Sequence, residues 1–315
     1  MNVFNTQAAI PQRFVTKYLA VLGTAIVLAS IQFADAQSPS DPKSLLAEAF
    51  DLGGKRAFSP QFFVMASKLI VHTPDGKRVG TDIYRLRLKY KPVQLGEDSE
   101  EYVCARFTFQ PDGGAEMDIP ALANWKYVFK SSGDKKGQTF GIDRAKFDGI
   151  ADSAGKALPP DKAFHVYNAF IDFHSFCNVF AERTRAGRGI QDLKRIGDKI
   201  VHASAFTEPS VGPGSFFKNG EVTLELKGLS RINGKSCVLI GYDSGESSFK
   251  MGTTTGSSHY FGDIYKDLAG GWVQKATMTE IVVSETTLPA PPNKINAVIE
   301  RLIEIRNVSQ KEFGL

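Results

Sequence analysis

The stretch Asp82–Tyr90 (DIYRLRLKY) decides the fold class of this chain, because apolar and basic residues alternate along it from Tyr84 to Tyr90. Aromatic and aliphatic residues stand at every second position and basic residues stand between them: Tyr84, Leu86, Leu88 and Tyr90 against Arg85, Arg87 and Lys89. Successive side chains of a β-strand point to opposite faces of the sheet. The pattern therefore predicts an antiparallel strand with one face packed and the other in water.

The same period of two recurs on both sides of the chain's middle. Glu101–Phe109 repeats it, and we expect one face to carry Val103, Ala105, Phe107 and Phe109. Glu221–Lys227 repeats it again, with Val222, Leu224 and Leu226 facing inward. These segments predict further strands of the same kind.

Turn signals connect the later strands. Asn233-Gly234 predicts a hairpin over Arg231–Tyr242, because this dipeptide suits a two-residue turn. Ala269-Gly270-Gly271 separates the strand candidates Ser258–Leu268 and Trp272–Glu285, and a last strand over Ile295–Val308 follows a proline-rich break. Consecutive hairpins indicate an antiparallel meander.

Two segments have the period of a helix. Asp41 to Gly54 predicts a short N-terminal helix whose apolar side is Leu45, Leu46, Ala49 and Phe50. Phe164–Glu182 is apolar on most sides, apart from a stripe at offsets of three, seven and ten: His165, Asn168, Asp172 and Ser175. Those offsets fall on one line along a helix. The predicted fold is mainly β (α+β): a large curved antiparallel sheet or incomplete barrel, with the short N-terminal helix and the central apolar helix packed on it.

The first 36 residues predict export. Arg13 and Lys17 precede the apolar run Tyr18–Ile31, and small residues follow at Ala34 and Ala36. This is the pattern of a cleavable secretory signal peptide over residues 1–36. An uncleaved anchor is the alternative, although the run is shorter than the ~20 residues that span a bilayer. We expect residues 37–315 to form one β-rich domain, with a subdivision near 186–215 as the alternative, in the periplasm or outside the cell.

The charge and the cysteine content limit the possible partners and disulfide bonds. The chain has 38 basic and 34 acidic residues, a net charge of +4, which argues against a nucleic-acid partner because such proteins present a strongly basic face. Three cysteines, Cys104, Cys177 and Cys237, are an odd number for an oxidising compartment. We expect small buried side chains and no essential disulfide.

A hairpin in the second half resembles a known class. The segment Gly262-Asp-Ile-Tyr-Lys-Asp-Leu-Ala-Gly-Gly-Trp272, together with the order of elements, resembles the periplasmic lipoprotein carriers and their relatives. The resemblance implies a secreted incomplete barrel whose concave side holds lipid chains under a helical lid. It carries over no site residue.

Candidate sites are few. The stripe His165, Asn168, Asp172 and Ser175 is a candidate ligand-binding surface, because a carboxylate among apolar walls can have a raised pKa; the alternative is an ordinary stripe with satisfied hydrogen bonds. His174 lies two residues after Asp172 and so on another side of the helix. No catalytic residue, cofactor or metal site is predicted, since the HExxH, CxxC and GxSxG patterns are absent.

Three functions fit these features. The first is a non-enzymatic envelope protein that binds or carries an apolar ligand, such as a lipid or a lipoprotein acyl chain, in a cavity above about 300 Å3 between sheet and helix. The second is a structural or adhesive envelope protein without a pocket. The third is a secreted hydrolase in which Asp172 and His174 converge. A basic connector could meet an envelope protein or a membrane surface through Arg183, Arg185, Arg188, Lys194 and Arg195.

Overall fold

The computed structural model describes residues 48–95, 99–130, 138–183, 188–201, 210–212, 215–291 and 293–314. For residues 210–212 it describes only the backbone. All of them belong to one compact unit, Pro42–Leu315. The predicted signal peptide lies outside the described residues.

Strands dominate these residues. Their bounds are β1 Gln61–His72, β2 Arg78–Lys91, β3 Ser99–Gln110, β4 Met117–Asp118, β5 Trp125–Lys130, β6 Gln138–Thr139, β7 Ile142–Asp143, β8 Lys199–Val201, β9 Ser210–Gly212, β10 Ser215–Lys218, β11 Val222–Ile232, β12 Lys235–Met251, β13 Thr254–Asp267, β14 Val273–Thr287 and β15 Lys294–Asn307. The helices are α1 Pro160–His174, which continues as the π-helical turn Ser175–Val179, and the short α2 Gln310–Phe313. Single 3-10 turns span Pro120–Leu122, Arg144–Phe147 and Ile190–Asp192.

One antiparallel sheet contains thirteen of these strands. Its main path runs β4-β3-β2-β1-β15-β14-β13-β12-β10-β9, while β5 also pairs with β3, and β11 pairs with β12 and β8. The described strands form a large antiparallel sheet that does not close into a barrel. The predicted mainly β class and incomplete barrel are therefore confirmed.

The stretch that predicted the fold behaves as expected in β2. Tyr84, Leu86, Leu88 and Tyr90 are all buried on the inner face of the sheet, at 6% exposure or less. The intervening basic side chains are partly exposed. Alternation alone placed this strand correctly, because one of its faces is buried.

A β-bulge makes one prediction wrong in β3. The register pairs Arg87 with Arg106 but Leu88 with Cys104, so Ala105 is an extra residue. Such a bulge shifts the alternation by one position. The inner face therefore carries Tyr102 before the bulge and Phe107 and Phe109 after it. Val103 and Ala105 do not share a face with Phe107 and Phe109, contrary to the expectation.

The predicted hairpins form. Ile232 pairs with Lys235 across a two-residue turn, and Asn233 and Gly234 both have positive φ, 51° and 77°. Positive φ at both positions is what the two-residue turn requires and why Asn-Gly suits it. The strands β13, β14 and β15 follow as the meander that the turn signals predicted.

The two helix predictions have different outcomes. The central helix forms over Pro160–His174 and its π-helical turn. Residues 48–52, at the end of the predicted N-terminal helix, are not helical, and residues 41–47 lie outside the described part of the chain. Phe50 and Leu52 are nevertheless buried, so their apolar character serves packing rather than a helix.

The core lies between α1 and the inner face of the sheet. Phe170 stacks on Phe107 of β3, and Phe173 packs edge-on against Phe63 of β1. All three cysteines are buried and free: Cys104 in β3, Cys177 in the π-helical turn and Cys237 in β12.

Candidate functional site

The polar stripe of α1 meets a row of charged side chains on the sheet. The backbone register aligns one inner-face residue from each of seven strands: Asp82, Leu69, Arg301, Glu280, Tyr260, Ser244 and Val222, from β2 to β11. Three of the seven carry a carboxylate or a guanidinium group: Asp82, Arg301 and Glu280. We call these three residues the charged row. It crosses the middle of the inner face.

Arg301 joins the helix to the sheet. Its guanidinium forms ion pairs with Asp172 of α1 and with Glu280 of β14, and only 11% of its side chain is exposed. Asn168 Nδ2 donates to Asp172 Oδ2 at 3.3 Å. At the start of α1, Lys162 forms an ion pair with Asp82. The charged row is thus paired with the helix at two points.

Burial changes the ionisation of the stripe. It raises the pKa of Asp172 to about 6; Arg301 acts in the opposite sense, and Glu280 adds to the rise. Burial also lowers the pKa of His165 to about 3, helped by the positive charges of Arg301 and Lys162. His165 is therefore neutral at physiological pH.

The four stripe residues do not act as one group. His165 packs near the Tyr84 ring, at 5.8 Å between centroids, and Asp172 pairs with Arg301. Ser175 Oγ donates to the carbonyl of Ile171 at 2.8 Å, within its own helix. The stripe as a ligand-binding surface stays a prediction, and only Asp172 connects it to the charged row.

Beyond the charged row the inner face changes character. We call this region the open end and define it by Val71, Phe249, Val282, Ala297 and Ile299. The register places them in the next two cross-strand rows. All except Val282 are partly exposed. The main core cluster of the described residues contains none of the five.

Small side chains accompany these apolar ones. The same two rows contain Gly80, Gly256, Ser247, Ser258 and Ser284. Ser258 donates to Glu280, and Ser244 and Ser247 share a hydrogen bond at 3.0 Å. The open end therefore combines partly exposed aliphatic residues on β1 and β15 with buried serine residues on β12, β13 and β14.

A second polar cluster, which the sequence did not reveal, lies at the C-terminal end of α1. His174, fully buried, contacts Tyr127 Oη through Nε2 at 2.8 Å and Asn178 Nδ2 through Nδ1 at 3.2 Å. Asn178 also donates to Tyr102 Oη at 3.0 Å, and Tyr102 Oη donates to Glu100 at 3.0 Å. We call these five residues, with Arg56, the edge network.

Arg56 completes the edge network. It pairs with Glu100 and lies 3.2 Å from Glu182, and its guanidinium carbon lies 4.1 Å from the Trp272 ring centre. Burial lowers the pKa of His174 far below its usual range, and the charge of Arg56 adds to this effect. The edge network ties the segment before β1 to the end of α1.

Asp172 and His174 do not converge. Asp172 pairs with Arg301 at the charged row, whereas His174 is sealed in the edge network. The hydrolase hypothesis in the form that joined these two residues is therefore wrong. Their two-residue spacing, which places them on different sides of the helix, explains the separation.

Packed rings occupy the space between α1 and the sheet. Phe170 contacts Phe107, Trp125 and Tyr127, with centroid distances between 5.4 and 5.8 Å. Two cavities lined by described residues are small and lie elsewhere: about 40 Å3 beside Asp51 and Lys266, and about 50 Å3 among Arg85, Arg87 and Arg106. The expected position of a ligand between helix and sheet is filled by protein.

The basic connector is only partly described. Arg183, Arg188, Lys194 and Arg195 are exposed, and Arg185 lies outside the described residues. The backbone amides of Lys194 and Arg195 both donate to Asp198 at 2.8 Å. A role in binding a partner stays a prediction.

Within the described ranges, no three His, Cys, Asp or Glu side chains are grouped as metal ligands. No helix among these residues has the length and apolar character needed to cross a membrane.

Comparison with known proteins gives fold-level likeness alone. No family model matches the chain, and no curated protein matches it. A solved structure on lipid–protein interactions in lipovitellin aligns with 81% of this chain at 11% identity and a TM-score of 0.37. This chain spans about a quarter of that one, 26%.

A second solved structure is a putative outer membrane lipoprotein-sorting protein domain from Vibrio parahaemolyticus. It aligns with 80% of this chain and 89% of its own, at 10% identity and a TM-score of 0.16. Neither TM-score supports an inference about ligand or activity.

Proposed function

We propose that this protein is an exported, non-enzymatic binding protein that holds an apolar ligand, such as a lipid or an acyl chain, on the open end of its sheet. The observation that carries the proposal is the change in side-chain size along one face. Large aromatic residues pack beneath α1, whereas aliphatic residues mixed with glycine and serine follow beyond the charged row.

This composition suits an apolar ligand. Ligand sites are mostly apolar, with a few polar groups that fix orientation. Ile299, Val71 and Ala297 offer partly exposed aliphatic surface, and serine hydroxyl groups lie in the same two rows. The signal-like N-terminus supports export, so the ligand would be met in the cell envelope.

The first test asks whether a ligand is present. The protein is exported, purified without detergent and extracted with organic solvent, and the extract is compared with a blank by mass spectrometry. A stoichiometric lipid or other apolar molecule is the expected result. A clean extract from folded protein that also takes up no added lipid would contradict the proposal.

The second test locates the ligand. Ala297→Trp places an indole on the inner face of β15 and should weaken binding about tenfold or more, equal to about 1.4 kcal/mol. Val283→Trp is the matched control, because Val283 lies on the outer face of the adjacent strand β14 and is 53% exposed. Equal affinity in the two variants would place the ligand elsewhere.

One observation favours the structural alternative. Phe261 of β13 and Ile281 and Val283 of β14 are exposed apolar residues on the outer face of the sheet. Exposed apolar patches often mark interaction sites. If this face docks onto an envelope protein, wild-type protein should sediment with envelope fractions and the double variant Ile281→Lys/Val283→Lys should stay in solution.

A further inference from the structure

Three arginine side chains line one small cavity on the outer face of the sheet. Arg85 and Arg87 lie on β2 and Arg106 lies on β3, and the cavity among them has a volume of about 50 Å3. Thr108 and Glu116 complete its lining. The cavity is open to solvent, since the side chain of Arg85 is 39% exposed and that of Arg106 is 52% exposed. We call the three arginines and this cavity the arginine site.

The β-bulge of β3 creates this arrangement. Cys104 is fully buried opposite Leu88, so strict alternation would point Arg106 inward as well. The extra residue Ala105 shifts the alternation by one position, and Arg106 lies on the outer face directly opposite Arg87. Like charges directly opposite each other on neighbouring strands are destabilising. The opposed pair of arginines therefore favours a negative charge between them.

Carboxylates of the protein supply only part of this negative charge. Asp118 accepts from Arg106 Nε at 2.6 Å and from its Nη2 at 3.3 Å. Glu116 lies 3.2 Å from Arg85 Nη1. Three guanidinium groups thus share two carboxylates, and the arginine site keeps a net positive charge.

The remaining positive charge is that of Arg87. Its one hydrogen bond within the described part of the chain runs from Nη1 to the carbonyl of Phe313, at 3.0 Å. Its Nε–H and Nη2–H groups are therefore available to an anion. Guanidinium groups bind phosphate through paired N–H···O bonds, and a cavity of about 50 Å3 has room for several groups of the size of water, as the oxygens of phosphate are.

We infer that the arginine site binds a phosphate group, either inorganic phosphate or the headgroup of an anionic lipid, with Arg87 as the main contact and with Arg85 and Arg106 beside it. The two sources present the same chemistry to the site. The arginine site lies on the outer face and the open end on the inner face, so this inference does not depend on the proposed apolar ligand.

Two probes distinguish the sources. Binding of inorganic phosphate is measured by isothermal titration calorimetry, and binding to phosphatidylglycerol vesicles, with phosphatidylcholine vesicles as the reference, is measured by flotation. Both are done at low ionic strength, because salt screens exposed charges. A Kd for phosphate of about 1 mM or tighter supports a free phosphate ligand, and preference for phosphatidylglycerol without it supports a headgroup. Binding of neither probe overturns the inference and leaves the proposed function standing.

One charge tests the site itself. Arg87→Gln should weaken binding of the probe that binds by at least about tenfold. Arg78→Gln is the matched control, because it removes the same charge from the same strand at a position outside the cavity lining, and it should leave binding unchanged. Equal losses in the two variants would mean that overall charge binds the anion, which overturns the inference.

A gain of binding guards against a variant that merely misfolds. Glu116→Gln removes the carboxylate that lines the cavity and leaves Arg85 without this ionic partner, so binding should strengthen several-fold. A melting temperature near that of wild type confirms that the variant is folded. Unchanged or weaker binding in folded Glu116→Gln would place the anion outside the arginine site and overturn the inference.

Discussion

The inner face of the sheet has two halves that share strands and register but differ in side-chain size. Beneath α1, the covered half, Leu86, Tyr102 and Phe107 are at most 1% exposed and pack against helix and sheet. At the open end, Val71, Ala297 and Ile299 are partly exposed on strands that continue without a break. The charged row separates the two halves.

This difference shows that the sheet does not by itself determine where its face is covered. Alternation is the same in both halves, since residues at every second position of β14 and β15 point inward throughout. Large rings bury about 150–250 Å2 each and so can hold a helix against the sheet, whereas glycine and serine cannot. The position of α1 thus follows from where the aromatic residues are.

The largest expected effect is a loss of stability in the covered half. Phe170→Ala removes a fully buried ring that packs against Phe107, Trp125, Tyr127 and Phe147. We expect the free energy of unfolding in urea to fall by about 3–5 kcal/mol.

Ile299→Ala is the matched change at the open end. Because Ile299 is partly exposed, the free energy of unfolding should fall by only about 1 kcal/mol. Similar losses in the two variants would show that the open end is packed as tightly as the covered half.

A smaller effect depends on pH and tests the border between the halves. Burial raises the pKa of Asp172 from 3.8 to about 6, a difference of about two units, or about 3 kcal/mol. This contribution to stability is present below the lower value and is lost as the pH rises through about 6. The free energy of unfolding of Asp172→Asn, taken relative to that of wild type, should therefore rise by up to about 3 kcal/mol between about pH 4 and pH 7. Urea unfolding of both proteins at each pH measures this difference.

His165 provides a control of opposite sign. Its pKa falls from 6.5 to about 3, so its contribution is present above 6.5 and is lost on acidification. His165→Gln should consequently gain stability relative to wild type as the pH is lowered. A difference independent of pH in both variants would mean that neither side chain is buried at the border.

The smallest effect concerns the edge network of the covered half. Tyr127→Phe removes the partner of His174 Nε2, at 2.8 Å, and leaves a buried nitrogen unpaired. The expected loss is about 1–2 kcal/mol by thermal unfolding. Tyr90→Phe is the control, because no hydrogen bond from its hydroxyl to the edge network is described, and it should lose less stability. An equal loss of stability in the two variants would contradict a stabilising role of the edge network.

Much of the fold could be predicted from alternation and turns. DIYRLRLKY gave the correct inner face of β2, and Asn233-Gly234 gave a correct hairpin. The error at Val103 and Ala105 has a definite cause: a bulge inserts one residue, and alternation carries no sign of it.

The candidate site was harder to predict from the sequence than the fold. Arg301 and Glu280 are charges at inward positions of otherwise apolar alternations, which is a signal that the sequence contains. The pairing of Arg301 with Asp172 joins residues 129 positions apart, and the pairing of Arg301 with Glu280 depends on strand register. The four-residue spacing of His174 and Asn178 also placed them on one side of a helix, but Tyr102 and Tyr127 reach them from two separate strands.

The place of β15 in the sheet has a consequence for biosynthesis. This last strand lies in the middle of the sheet, between β1 and β14, and pairs Phe63 with Asn307, near the two ends of the described chain. The strands made first and the strands made later stay two separate partial sheets until β15 is available. Such sequence-distant pairing slows folding, so the native sheet is completed only after β15 has been synthesised.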